Sequence, residues 1–198
     1  MPDKKITRQI LHMIIGTLII IGLILVERPL SLVILFLSFL AAVLLSLLAR
    51  KIKIPIIICL TNKLGKKDEE KFPGKGLIFL LAGCLLTAKL FPLDIALASI
   101  AVLTFGDPTT CLARKALTKK PYKKDRVFKG FAGIIGLVVS FFVAFFFVSS
   151  LYAAVAAIAG MLAESIAIKV GQNDADDNLI VPLASGTVLY LLRFLIKI

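Results

Sequence analysis

Apolar residues run along this chain in seven long stretches, each close to the length that crosses a bilayer. A spanning helix needs about 20 predominantly apolar residues. The stretches cover residues 9–26, 29–49, 75–91, 93–117, 129–150, 151–170 and 177–196. The third is short for a full crossing. The fourth is interrupted by Gly106-Asp107-Pro108, where the proline removes a backbone donor and is expected to kink or break the helix. The segment "KIKIPIIICL", residues 51–60, is apolar but too short to span, and is expected to be interfacial or re-entrant. No strong internal repeat relates two halves of the chain. The pattern predicts an all-α polytopic integral membrane helical bundle of about seven transmembrane helices, a single transmembrane domain over residues 1–198.

Composition sharpens this picture. The 198 residues are 59% hydrophobic, and the mean hydropathy is +0.98, well above an ordinary soluble domain. The first apolar run follows Lys4, Lys5 and Arg8 and is followed by no small-residue cleavage site, so it reads as an anchor that stays. Cys59, Cys84 and Cys111 lie in or beside apolar segments without CxxC spacing, which points to bundle packing.

The net charge of +12 is not spread evenly. Basic residues crowd the N-terminus, the loop with Arg50, Lys51, Lys53, Lys63, Lys66, Lys67 and Lys71, and the loop with Lys119, Lys120, Lys123, Lys124 and Arg126. The alternate loops hold little charge. Positive charge in short loops marks the cytoplasmic side. The expectation is a cytoplasmic N-terminus, cytoplasmic loops at about 50–74, 118–128 and 171–176, and an outward C-terminus with Arg193 and Lys197 as a mild exception. Membrane topology thus accounts for the basicity. No aromatic-interleaved basic patch or zinc spacing points to nucleic acid.

The polar residues inside the apolar segments share one side under that topology. His12 lies at the start of the first segment. Asp107 is in the cytoplasmic half of the fourth, with Arg114 and Lys115 after it. Glu164 is in the cytoplasmic half of the sixth, and "NDADDN", residues 173–178, opens the seventh. An aspartate at a membrane helix centre costs about 2.5–3.5 kcal/mol on insertion scales, so such residues face a cavity or a partner. Local alternatives exist for each: Asp107 pairing with Arg114, Glu164 with Lys169, and Asp174 or Asp176 serving only as solvated loop and helix cap. Together the residues suit phosphate chemistry. Carboxylates hold magnesium, which bridges phosphates, and Lys and Arg neutralise phosphate oxygens. A polar mouth of both signs suits a nucleoside triphosphate, and a helical bundle suits a lipid entering sideways. The residues therefore point to a membrane enzyme moving a phosphorus group between nucleotide and lipid, with a proton-coupled transporter as an open alternative.

Ordinary nucleotide and hydrolase signatures are missing. "KFPGKGL", residues 71–77, lacks GxxxxGK[ST] and a preceding strand, and neither GxSxG nor HExxH occurs. Gly133 and Gly136 are placed to let helices approach closely. Four stretches, in order, do resemble a known family: "RQILHMIIG" (8–16), "KFPGKGLIFLLAG" (71–83), "FGDPTTCLARKAL" (105–117), and "AESI" with "DADDNLIVPLASG" (163–166 and 174–186). They are similar to the motifs of the CTP-dependent polyprenol kinases, which include dolichol kinase, phytol kinase and the CTP-using diacylglycerol kinase. The resemblance covers nearly the whole chain. In "DRVFKGFAG", residues 125–133, the sequence departs from the family pattern: Gly130 matches, but Lys129 stands at an acidic position and Phe131 at a hydroxyl position.

The resemblance implies CTP as phosphoryl donor, an isoprenoid or other lipid alcohol as acceptor, and Mg2+ or another divalent cation. On this reading Asp107 and Asp177 hold the metal. Gly106, Lys115, Lys124, Arg126, Lys129 and Gly130 serve the triphosphate, and Asn178 orients a phosphate or water. Glu164 or Asp107 accepts the proton of the lipid hydroxyl. Arg8 and His12 are further candidate residues of the site, with no role assigned. The alternative is a cytidylyltransferase of the phosphatidate type, which would join CMP to a phospholipid at a similar site.

Overall fold

Seven helices form among the described residues, one in each apolar stretch: α1 Lys4–Leu25, α2 Arg28–Lys51, α3 Lys75–Leu90, α4 Leu93–Leu117, α5 Arg126–Phe145, α6 Ser150–Ser165 and α7 Asp177–Ile196. A two-residue antiparallel pair, β1 Lys169–Val170 with β2 Asn173–Asp174, joins α6 to α7. The computed structural model describes residues 4–51, 74–117, 126–165, 169–170, 173–174 and 176–196. The re-entrant expectation for residues 51–60 falls almost wholly outside them, as do Cys59 and Lys124.

Four helices are long and apolar enough to cross a membrane: α1, α2, α4 and α7. The apolar parts of α5 and α6 are shorter, as is the 16-residue α3. The protein is therefore a membrane-embedded helical protein. Each helix reverses direction from the last, so the ends of α1, α3, α5 and α7 that come first in sequence gather at one end of the bundle. The last turns of α2, α4 and α6 join them there.

α4 is the centre. Its apolar span is 72% buried, against 28% for α1 and α7 and 11% for α2. Ile95, Ala96, Ala98, Ile100, Val102 and Leu103 are fully enclosed. α2 lies at the rim and turns Leu30, Val33, Leu37, Leu40 and Leu44 outward, as a lipid-facing helix does. Several hydroxyls inside the helices are bonded to backbone carbonyls: Thr17 to Met13 (2.7 Å), Ser99 to Ile95 (2.8 Å) and Ser185 across to Ala156 of α6 (3.1 Å). That is what an environment without water demands.

Pro108 does not break α4. The chain passes from α-helix (Leu93–Ala101) through a π-helical turn (Val102–Gly106) into α-helix again (Asp107–Leu117). The expected break is absent for a physical reason. A proline ring collides with the carbonyl four residues back, here Thr104, and the wider i→i+5 turn moves that carbonyl away. Asp107 keeps helical angles, φ −60° and ψ −50°.

Small residues then let the helices close on one another. A Cβ at Gly16 would strike the Thr104 side chain, one at Gly136 would strike Thr110, and one at Gly160 would meet Ser185 and Val102. Gly130 and Gly133 have open space instead, so of the three α5 glycines only Gly136 serves close approach.

At the end opposite Asp107, the basic residues are tied into the bundle. The Arg28 guanidinium donates to the Ala88 and Phe91 carbonyls at the close of α3, at 2.9 and 2.6 Å. Arg193 pairs with Asp94 and lies 5.9 Å from the centre of the Tyr152 ring. Arg193, one of the two exceptions to the charge pattern, is thus held in an ion pair, and Lys197 lies outside the described residues. Replacing Arg28 with Met should lower stability in thermal unfolding by about 1.5–3 kcal/mol, because two carbonyls lose a charged donor. An unchanged midpoint would show that Arg28 is a bystander.

Candidate functional site

Three helices bring the acidic residues to one end. Asp107 opens the last segment of α4, Glu164 sits in the last turn of α6, and Asp177 is the first residue of α7. Glu164 is half-buried and lies within electrostatic reach of Asp107, of Asp177 and of Arg114. Its Oε2 is buried with no hydrogen-bond partner. Three carboxylates drawn together in a membrane bundle repel one another unless a cation stands among them. Arg114 supplies one. Lys115, also half-buried, lies beside it in sequence.

The start of α7 is fixed by its own residues. Asp176 is the cap: its carboxylate accepts from the Asn178 N–H at 3.2 Å, and its carbonyl accepts from Leu179 at 2.9 Å. The Asn178 side-chain amide donates to Asp176 at 2.8 Å and to the Gly76 carbonyl at 3.3 Å, which ties α7 to the first turn of α3. Both amide hydrogens are thereby used. Asn178 thus holds the start of α7, with Asp177, against the start of α3. Gly74, at φ +77°, makes the turn into α3 in the left-handed region that favours glycine.

Gly106 is buried, and the space a Cβ would occupy is taken by the Ser140 hydroxyl of α5, with Met161 of α6 close by. Its carbonyl accepts from Thr110 at 3.0 Å. It is a point of close contact between helices. Gly130 is exposed with open space around it. Arg126 and Lys129 fall in the first turn of α5, and their side chains lie outside the described residues, as Lys124 does entirely.

His12 belongs to the same end through α1. Arg8, His12 and Gly16 follow one another every four residues and so share a face. That face packs on the π-helical turn of α4. Gly16 lies against Thr104, and the His12 ring hydrogen-bonds the Leu103 carbonyl. Arg8 and Asp176 are within electrostatic reach of the ring. Sequence reasoning had the residue but not its anchor, although the signal was present in the spacing of Leu103 and Pro108.

Among the described residues, no group of three or more His, Cys, Asp and Glu side chains is placed to hold a metal ion. Comparison with family models, with curated proteins and with solved structures finds no match to this chain.

Proposed function

We propose that this protein is a membrane-embedded lipid kinase that transfers the γ-phosphate of CTP to an isoprenoid or other lipid alcohol. The observation that carries the reading is the meeting of Glu164 with Asp107, Asp177 and Arg114, from three helices, at one end of an apolar bundle. Carboxylates and cations gathered at a membrane surface are the groups that bind a metal–triphosphate, and hydrocarbon-facing helices beside them are where a lipid alcohol waits. The ordered resemblance to CTP-dependent polyprenol kinases narrows the nucleotide and the acceptor.

On this reading all seven helices cross the bilayer and the acidic end is cytoplasmic. Asp107 and Asp177 hold a divalent cation, which when bound draws charge from the phosphates. Lys115 and Arg114 balance the triphosphate oxygens, helped by the basic residues that open α5. Bringing the alcohol oxygen in line with the γ-phosphorus is then mainly a matter of positioning and electrostatics.

The test uses purified protein in lipid vesicles with Mg2+, a pool of lipid alcohols and phospholipids, and CTP labelled at either the γ- or the α-phosphate. Label entering lipid only from the γ position is the expected result, and the mass of the labelled lipid names the acceptor. Entry only from the α position would make the protein a cytidylyltransferase. Entry from neither position, with folded protein, would sink both.

A further inference from the structure

We propose that His12 is the base that receives the proton of the lipid hydroxyl. This rests on the kinase reading. It starts from a carbonyl without a helical donor. In the i→i+5 register of the turn Val102–Gly106, the donor due to Leu103 is residue 108, and Pro108 has no N–H. A buried carbonyl left bare costs about 1–3 kcal/mol. His12 fills the gap by donating a ring N–H to Leu103.

That bond sets the tautomer. The nitrogen without a hydrogen-bond partner is Nε2, so Nδ1 carries the proton and points at Leu103. Nε2 is left with its lone pair buried and unused. A backbone carbonyl on one ring nitrogen is the arrangement that aims the other at a metal or at a proton to be abstracted. The kinase reading takes the second use.

The location agrees. α1 is a rim helix, and Ile10, Leu11 and Ile14, beside His12 in sequence, face outward. On the kinase reading a lipid lying along this face of α1 would bring its hydroxyl toward Nε2. The sequence reading assigned this proton to Glu164 or Asp107; Glu164 lies within electrostatic reach of Asp107, Asp177 and Arg114, and on the proposed mechanism that group serves the cation and the phosphates. In the step, the alcohol oxygen bonds to the γ-phosphorus while the bond from that phosphorus to the β-bridging oxygen breaks, and CDP leaves. The hydroxyl proton moves to Nε2, giving an imidazolium that still donates to Leu103, and then passes to water.

His12→Asn separates chemistry from structure. The asparagine amide can replace the Nδ1–H donor to Leu103 but puts nothing at Nε2. The expected result is an unchanged unfolding midpoint, an unchanged KM for CTP and kcat lower by about 10²–10⁴-fold. Wild-type kcat in folded H12N would overturn the proposal and leave the kinase reading standing. Failure of the unaltered protein to transfer γ-label to any alcohol would sink both. A second measurement needs no variant, because His12 is the sole histidine among 198 residues. Diethylpyrocarbonate should abolish turnover, lipid alcohol should protect, and hydroxylamine should restore it. Full activity after modification of His12, or modification that lipid alcohol does not slow, would equally overturn the assignment.

Discussion

Asp107→Asn should remove phosphoryl transfer while leaving the bundle intact. The substitution keeps the size and the start of the last α4 segment but deletes the charge that faces Glu164. On the proposed mechanism that charge binds the cation, and losing it forfeits several kcal/mol of stabilisation, about a thousandfold or more in rate. Turnover with γ-labelled CTP reads the rate. A binding readout accompanies it: Mg2+ with CTP should raise the unfolding midpoint of the unaltered protein, as any ligand of the native state does, and should not raise that of D107N. A fully active D107N would remove Asp107 from the site.

Gly83→Ala should damage stability and site together. A Cβ there would strike the Asn178 carbonyl and come within 3.2 Å of the Leu179 Cα, so the obstacle is backbone and cannot rotate aside. The carbonyl is the one Pro182 leaves without a helical donor, being four residues before it. α3 and α7 would have to part, at about 1–3 kcal/mol, the usual range for an overpacked core. Because Asn178 and Asp177 ride on the same turn, turnover should fall even at temperatures where the variant is fully folded. A variant with the original midpoint and the original rate would show that the two helices are not locked at this point.

These expectations draw unequally on the sequence. The seven helices were legible because lipid leaves a backbone few choices, and runs of Leu, Ile and Phe between charged loops mark them plainly. The acidic residues stood out for the same reason: Asp107 and Glu164 are conspicuous against apolar neighbours. Their meeting was harder to read. It depends on α4, α6 and α7 lying side by side, which follows from Gly136, Gly160 and Gly83 and from what each of them touches. Pro108 was misread as a break because an α-ladder was assumed, and a π turn accommodates the ring without stopping the helix. The helix contacts of Asn178 and Gly106 were not legible, because polar and glycine residues near a carboxylate serve such contacts as readily as ligands. Their partners, Gly76 for one and Ser140 for the other, come from distant segments of the chain.

The π turn also has a consequence for how this segment tolerates change. An α-helix turns by about 100° per residue, and a single π turn holds one residue more than the ladder needs. The extra residue is absorbed inside the turn, so removing any one residue between 102 and 106 would restore a regular ladder and leave Asp107, Thr110 and Arg114 near their present face. What would be lost is room for the Pro108 ring, which would then meet the carbonyl four residues back. Residue count in this turn thus decides whether the proline is accommodated. A one-residue deletion there would bend or break α4 beside the site without touching a single charged group.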